Sequence, residues 1–327
     1  MTEPTTCSVT KVEQLLPPAL LERLRLQLEP SAYKTALQSF ATPKPITIRP
    51  NSLRSTEQEL LQQVHSAGMK TEAVTWCPEC HLLTTGTIRQ LQELPMYEDG
   101  GMYIQAASSM QAAYALQVAP DMRVLDMCAA PGSKTSLLAS IMNTRGMLVA
   151  NDRSRKRLYR LREILQQQGA TNVEVLCGPG ERLAQSHADC FDRVLVDAPC
   201  SGEGRIRTDK PIRISRWNLQ EIRTLAKLQE QLLVAALRCV TVGGTVVYST
   251  CTFAPEENEC VLDKVLSRSS IDAELIELPR ELHPPSSIAP LQNWNGKELH
   301  NDLSNAMRII PDSTTTGFFI AAMKRKS

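Results

Sequence analysis

Val194-Leu195-Val196-Asp197-Ala198-Pro199-Cys200-Ser201-Gly202 and Val246-Val247-Tyr248-Ser249-Thr250-Cys251-Thr252 share one layout. Each begins as a short apolar run rich in Val and, in the second, Tyr, which is the pattern of a buried strand. Each then stops on small polar residues around a cysteine, with a proline in the first. Ligands of open α/β sheets sit at the carboxyl ends of the strands. Two thiols and the Asp197 carboxylate are therefore expected to meet in one crevice. A free cysteine taken singly is most often an inert, buried residue. The joint position of these two, at strand ends beside a carboxylate, favours a chemical role.

Working outward from this pair, strands and helices alternate. Residues 122–125 read as a strand that runs into Asp126-Met127-Cys128-Ala129-Ala130-Pro131-Gly132-Ser133-Lys134-Thr135, with a helix over 135–142. A second strand covers 146–151 and ends on Asp152. A helix over Arg155–Gln168 is closed by Gly169, and Val173–Cys177 is the third strand. Residues 218–240 place Leu225, Leu228, Leu232, Leu233, Ala236 and Leu237 on one helical face. Gly243-Gly244 is read as the turn into the strand that carries Cys251. A helix over 256–266 and a last strand over 318–323 complete the series. Units of this length predict an α/β, doubly wound, Rossmann-like sheet.

The N-terminal part reads differently. Residues 11–40 carry Leu15, Leu16, Leu20, Leu21, Leu24 and Leu28 at helical spacing, interrupted by Pro17-Pro18, with Pro30 read as the end of the helix. A strand over 46–49 leads to Arg49-Pro50-Asn51-Ser52-Leu53-Arg54. Ser55 and Gln58 are read as a capping box opening a helix over 56–67, which Gly68 closes. A strand over 71–76 follows. Strand–helix–strand in so short a span suggests a ferredoxin-like or RRM-like α+β module. Gly100-Gly101 is read as a hinge, which divides the chain into 1–99 and 100–327. An amphipathic helix is expected within 103–118.

Composition excludes several classes. With 42% hydrophobic and 22% charged residues among 327, the chain buries a sizeable core and is not disordered. Its net charge of +1 argues neither for nor against nucleic acid, so the distribution of charge matters more. Arg153, Arg155, Lys156, Arg157, Arg160 and Arg162 are read as a solvated face. Arg205, Arg207, Lys210, Arg213 and Arg216 follow directly on Cys200, which sets this run apart from the first. Ten cysteines fall far below the density of a disulfide scaffold. The opening MTEPTTCSVT shows no basic stretch followed by an apolar one, and no apolar run approaches the roughly 18 residues that span a bilayer. A cytoplasmic protein with reduced thiols and no membrane contact is expected. Cys77-Pro78-Glu79-Cys80-His81 matches a haem-attachment pattern and half of a zinc site. It lacks the exported context of the first and the second cysteine pair of the other, so it is read as a turn and no metal is expected.

The 126–135 loop lacks G-x-G-x-x-G and the P-loop pattern. Ala129, Ala130, Gly132 and Ser133 still allow close backbone approach. Asp152, about 20 residues beyond Gly132, is placed to bind a ribose diol, the alternative being a helix N-cap. A ribose without a pyrophosphate fits S-adenosylmethionine. Two thiols suggest covalent catalysis. Carbon 5 of cytosine is a poor nucleophile, and a thiolate adding to carbon 6 makes it a good one. A carboxyl group at ring nitrogen 3 stabilises the charge that develops there. On the residues alone, either Cys251 or Cys200 could attack, with Asp197 as the carboxyl.

DMCAAPGSKT, LVDAPCSGEG and VVYSTCTFAPEENE resemble the Nol/Nop/Sun family of RNA 5-methylcytosine methyltransferases, also called the Fmu/Sun or RsmB/RsmF-like family. The resemblance extends to TIRPNSLR, GMYIQAASS and MRIIPDSTTTGFFIA, and covers about residues 15 to 325. It implies that Cys251 is the nucleophile and that Cys200 assists breakdown of the covalent adduct. It assigns Cys128, Ala129, Ala130, Pro131, Gly132, Ser133 and Lys134 to the S-adenosylmethionine loop, Asp152 to the ribose, and Asp197 to a place near both cofactor and base. One departure is Pro179, which stands where the family usually carries an acid near the adenine; either Glu181 substitutes for it or adenine binding is weaker. The chain also ends soon after its last strand. Target choice is therefore expected to rest on the N-terminal module, Arg49 and Arg54 included, and on the basic run 205–216. The expected activity is methylation of structured RNA by a monomer, with ribosomal RNA ahead of transfer RNA. A catalytically silent RNA-binding assembly factor is the competing reading, which the intact Cys200, Cys251 and Asp197 oppose. A DNA cytosine methyltransferase is another, which Cys251 and the RNA-type module oppose.

Overall fold

The computed structural model describes residues 9–268, 272–312 and 314–327. The first eight residues, where no signal pattern was read, and Ser313 of the C-terminal motif lie outside the described residues.

Three helices open the described chain: α1 (Val9–Leu15), α2 (Pro18–Gln27) and α3 (Pro30–Ala41). Pro18 and Pro30 each occupy a first helical turn, where a missing N–H costs nothing. Pro30 therefore starts a helix instead of ending one. Leu20, Leu24, Leu37 and Phe40 bury against Ile206, Phe253 and Ile310. The helical segment thus packs on the loops that carry Cys200 and Cys251, not on the small module.

That module runs β1 (Thr47–Pro50), α4 (Glu57–Ser66), β2 (Lys70–Ala73), β3 (His81–Thr85), α5 (Ile88–Gln92), α6 (Pro95–Glu98) and β4 (Met102–Ile104). Its sheet has the order β2-β3-β1-β4 and every pairing is antiparallel. The capping box lies one residue later than the sequence reading placed it. Thr56 Oγ1 accepts from the Glu59 backbone N–H and the Glu59 carboxylate accepts from the Thr56 N–H, while the Ser55 hydroxyl is taken by the Gly101 carbonyl. The sheet also continues past the expected boundary at residue 99, because Met102–Ile104 pairs with β1. Gly100 is a contact and not a hinge: a Cβ there would overlap the Gln167 carbonyl.

Arg49 is fully buried and points away from solvent, so it is not a contact for RNA. Its guanidinium donates to Gln105 Oε1 at 3.0 Å and Ser136 Oγ at 3.0 Å and lies 5.2 Å from the centre of the Tyr103 ring. Asn51 donates to the carbonyls of Gly100 and Gln168, and Ser52 meets Ser140. The TIRPNSLR stretch is therefore the seam between the small module and the large sheet. Arg54 alone of its two arginines is exposed. The Cys77–Cys80 stretch is a turn whose cysteines are buried with Ala107 and Met110, Cys77 Sγ being directed at the Ala107 carbonyl.

The large domain runs α7 (Ala107–Ala115), β5 (Arg123–Asp126), α8 (Ser133–Ile141), β6 (Met147–Asp152), α9 (Arg155–Gln168), β7 (Val173–Cys177), β8 (Phe191–Asp197), α10 (Ile212–Arg216), α11 (Leu219–Cys239), β9 (Val240–Thr250), α12 (Glu259–Leu266), β10 (Ala273–Ile276), β11 (Ser287–Ile288), β12 (Asn293–Trp294), β13 (Lys297–Glu298), β14 (Met307–Ile309) and β15 (Phe318–Arg325). Its sheet order is β11-β14-β15-β9-β8-β5-β6-β7, with β10 on β15 and a separate β12–β13 hairpin. The stretch from β9 to β7 is parallel, while β15 runs antiparallel to β9. One core lies between the sheet and α11 and the other between the sheet and α7 and α8. Buried Leu232, Leu233 and Leu237 of α11 each contribute on the order of 1.5–3 kcal/mol. α7 is shorter than predicted and buried on nearly all sides, because the Cys77–Cys80 turn covers its outer face. β9 passes through Gly243-Gly244 as an irregularity in its pairing with β8 instead of starting after a turn there. Among the described residues no helix is long and apolar enough to cross a membrane.

Chain order runs outward from β5 through β6 to β7 on one side and from β8 to β9 on the other. The carboxyl ends of β5 and β8 consequently open onto one crevice, the place where such sheets hold ligands.

Replacing Arg49 by Ala removes two charge-assisted bonds across the seam and leaves Gln105 and Ser136 short of a donor. Each such bond is worth about 1.5–3 kcal/mol, so denaturant unfolding of the variant should show a loss of about 3 kcal/mol. Equal stability of variant and parent would mean that the seam does not depend on Arg49.

Candidate active site

The parallel register sets Asp197 of β8 opposite Ser249 of β9. Both strands then end, and the loops that follow bring Cys200 Sγ to 3.3 Å from Cys251 Sγ. The Cys251 backbone N–H also points at Cys200 Sγ, at 3.3 Å. The Cys200 thiol, donating to the Cys251 sulfur, holds Cys251 below the usual thiol range; burial opposes this, and the Arg205 and Lys134 charges assist it. Cys200 is pushed up by the same contact and by burial. Of the two sulfurs, Cys251 is therefore the one inclined to ionise. Both sulfurs line the cleft.

Asp197 is fixed from two sides. Ser249 Oγ donates to Oδ1 at 2.9 Å and Lys134 Nζ to Oδ2 at 2.8 Å. Lys134 is itself held by Ser109 Oγ at 2.6 Å and lies 5.6 Å from the centre of the Phe318 ring. Helix α8, starting directly after the 127–132 turn, thus delivers its second residue to the end of β8.

The turn itself is shaped by Gly132, whose φ of 117° is a left-handed conformation and whose Cβ, if present, would lie 2.8 Å from Leu161 Cδ1. Ala130-Pro131 is a cis peptide. Cys128, Ala130, Pro131, Ser133 and Lys134 line the cleft. Ala129 and Gly132 stand behind them against α9. Asp152, at the end of β6, accepts from the Ala130 N–H at 3.2 Å and the Ser154 N–H at 2.9 Å and pairs with Arg157 at 3.0 Å. Ser154, not Asp152, is the N-cap of α9. Asp152 thus spans the turn and the next helix and still faces the cleft.

The cleft measures about 880 Å³, a volume in the range of cofactor sites. Beneath its floor, Asp126 is pushed up to about 7 by burial; Thr135 donates to its Oδ2. Asp126 Oδ1 and Asn151 Oδ1 are buried without hydrogen-bond partners among the described residues. Burial and the neighbouring carboxylates push the Cys128 thiol up. Glu181 lines the cleft, while Pro179 precedes the 3₁₀ turn at Gly180–Gln185. The cleft has a basic rim lined by Lys44, Arg205, Arg207, Lys210 and Arg213, and Arg153 and Arg157, from the run read as a solvated face, line it on the Asp152 side. Lys44 is lowered to about 8 by burial, with Arg207 adding to the effect.

The structure gathers Cys200, Cys251, Asp197, Asp152 and the loop after β5 into a single site. Sequence reasoning did not single out Ser109, Ser249 or Phe318. Ser109 and Phe318 lie inside GMYIQAASS and MRIIPDSTTTGFFIA, so the signal was present without a role attached. All nine cysteines among the described residues are free thiols, and no cluster among them is suited to a metal ion.

A parallel-rich α/β sheet with this order and a ligand cleft at its switch point defines a methyltransferase fold. The chain belongs to the family described as 16S rRNA methyltransferase RsmB/F, whose model matches residues 113–324. It is 37% identical over 252 residues to ribosomal RNA small subunit methyltransferase F of Aeromonas salmonicida, covering 74% of this chain and 52% of that protein. It is 32% identical over 296 residues to the 26S rRNA (cytosine-C(5))-methyltransferase nsun-1 of Caenorhabditis elegans, covering 89% of this chain and 44% of the relative. A crystal structure of a methyltransferase homolog protein from Pyrococcus horikoshii superposes with a TM-score of 0.83 at 32% identity over the whole of both chains. This chain spans about half the length of the curated relatives it matches.

The thiol contact has a direct readout. Cys200→Ala removes the hydrogen bond that lowers Cys251, so the Cys251 thiol should titrate at higher pH. The iodoacetamide rate at Cys251, mapped by mass spectrometry, should then rise at higher pH than in the parent. An unchanged profile would show that the two sulfurs are not coupled in solution.

Proposed function

We propose that this protein transfers a methyl group from S-adenosylmethionine to carbon 5 of a cytosine in structured RNA, by way of a covalent cysteine adduct. The observation that carries the proposal is the contact of two thiols, one inclined to ionise, beside a pinned carboxylate in the cleft of this fold. Ribosomal RNA is the first candidate substrate, in keeping with the names of the relatives, and transfer RNA the second.

The residues present fit the cofactor. Asp152 lines the cleft and offers a carboxylate to a ribose diol, and Ala130 and Pro131 allow close approach. Glu181 is the acid that stands nearest in sequence to the place of Pro179. When bound, S-adenosylmethionine supplies an electrophilic methyl group. Cys251 Sγ, as thiolate, forms a bond to carbon 6 of the base, and carbon 5 gains the electron density that the transfer needs. Asp197, oriented by Ser249 and Lys134, would in its acid form hydrogen-bond ring nitrogen 3 and pass it a proton as Cys251 adds, taking the proton back when the adduct collapses. After transfer, the carbon 5 proton passes to a solvent base, its electron pair re-forms the 5,6 double bond and the carbon 6–sulfur bond breaks to release the Cys251 thiolate, a departure assisted by the Cys200 thiol hydrogen-bonded to that sulfur. The target base must leave its stack to reach the two sulfurs.

The small module, with strand order β2-β3-β1-β4 and its strand–helix–strand–strand–helix–strand path, is read as RRM-like. RRM modules stack bases on the sheet face. Here β1 is buried throughout, so exposed Arg54 and the basic rim of the cleft carry the phosphate contacts in this reading. Such contacts position RNA without specifying sequence.

Asp152→Ala should weaken S-adenosylmethionine binding by on the order of 1.5–3 kcal/mol, the worth of a hydrogen bond to a charged group. Calorimetry giving the parent affinity would take Asp152 out of the site.

The thiol roles are separable by trapping. Cys251→Ala should abolish methylation and give no adduct while RNA binding survives. Cys200→Ala should accumulate a protein–RNA species that persists in denaturing electrophoresis, and the double variant should not. The reverse pattern would exchange the two roles, and normal methylation in both single variants would end the covalent proposal.

A further inference from the structure

Glu203 and Glu257 lie on the loops that follow β8 and β9, outside the cleft lining, and both are essentially without solvent exposure. Neither makes a salt bridge among the described residues; the nearby Arg23 pairs with Glu256 instead. Burying a carboxylate without a cation is costly, so two of them within one pair of loops ask for a reason. Their hydrogen bonds cross over. Glu257, six residues after Cys251, accepts from the backbone N–H of Ser201 at 2.9 Å, from the Ser201 hydroxyl and from Gln229 Nε2 at 2.9 Å. Glu203, three residues after Cys200, accepts from Thr252 Oγ1 at 3.1 Å, the Phe253 N–H at 3.1 Å and Trp217 Nε1 at 2.7 Å. Each cysteine is thus followed directly by a residue bound to the carboxylate of the other cysteine's loop. The Ser201 and Thr252 hydroxyls meet at 2.8 Å, and the Gly204 N–H donates to the Cys251 carbonyl at 3.0 Å. Gly204 also packs directly on the Gly317 backbone, where a Cβ would overlap it.

We propose that Glu203 and Glu257 are positioning residues that, by exchanging carboxylates between the two loops, fix the contact between Cys200 and Cys251. The proposal rests on the two-thiol reading of the site. A carboxylate suits the task because both its oxygens accept, and here they serve three donors each. A glutamine in the same place brings an NH₂ group that would face the Ser201 or Gln229 donors at position 257, and the Thr252, Phe253 or Trp217 donors at position 203. Separation of the loops would lengthen and weaken the 3.3 Å Sγ–Sγ hydrogen bond that inclines Cys251 to ionise. Burial pushes Glu257 up to about 7 and Glu203 upward, and the donors facing each work against that rise.

The test uses the full chain with Glu257→Gln and Glu203→Gln. Two quantities are read: the pH profile of Cys251 alkylation, and kcat and KM for RNA methylation. The profile should move to higher pH in both variants. kcat should fall by on the order of tenfold to a hundredfold, the scale of small misplacements at a reacting centre, with KM for RNA close to that of the parent. Parent-like alkylation profiles in both variants would overturn the proposal, whatever their melting temperatures. Should a glutamine variant fail to fold, Thr252→Val removes one donor from Glu203 and the Ser201 contact without touching either carboxylate; its profile should shift too, and an unshifted one would also overturn the proposal. Alkylation requires neither RNA nor a methyl donor, so a failure of the enzymatic reading would show separately, as absence of methylation by the parent protein.

Discussion

The parallel pairing of β8 with β9, in the register that puts Asp197 opposite Ser249, is the constraint on which the site depends. A slip of one residue would turn every side chain of β9 to the other face. Tyr248 and Val246 would leave the core beneath α11, and Ser249 would leave Asp197. The core therefore enforces the register and the register enforces the site. Because both strands stop at the same level, the two loops start side by side, and the thiols have only three residues and one residue of freedom, respectively, before they meet.

Around that contact the protein concentrates carboxyl groups, most of which no cation pairs with. Asp126, Asp152, Glu203 and Glu257 are buried, and Asp197 is partly so. Lys134 is bonded to Asp197 and Arg157 to Asp152. The others depend on neutral donors: a threonine for Asp126, and serine, threonine, tryptophan, glutamine and backbone N–H groups for the two glutamates. Neutral donors orient a carboxylate without cancelling its charge. The Lys134 ammonium is held off the sulfurs by Asp197 and Ser109 and still lowers Cys251 through space.

The N-terminal segments support this arrangement from outside. Phe40 packs on Phe253, two residues beyond Cys251, and the Thr208 N–H donates to the Phe40 carbonyl. Arg23 holds Glu256 at 2.5 Å, one residue before the glutamate that binds Ser201. The first three helices are thus the back wall of the thiol loops. The small module is attached elsewhere, through Arg49, Asn51 and Ser52, to the helices that flank the loop after β5. Two parts of one N-terminal region consequently brace the two halves of the cleft.

Local patterns in the sequence determined most of the α/β series, because apolar runs of strand length bounded by Gly, Pro and Asp carry their own signal: α9, closed by Gly169, and β7 have the predicted limits, and α11 lies within one residue of them. The candidate site residues were legible for the same reason, since each stands where a strand ends. Short strands were not. β3 and β4 of the small sheet have five and three residues and gain their identity from partners far along the chain. Arg49 looked like a surface cation because nothing local says that Gln105 and Ser136 will enclose it. Glu203 and Glu257 sat in recognised motifs, yet their exchange between loops exists only once β8 and β9 lie side by side. The sequence by itself determined which residues end the strands; the tertiary structure alone decided which of them touch, because hydrogen bonds between residues about fifty positions apart leave no periodicity to read.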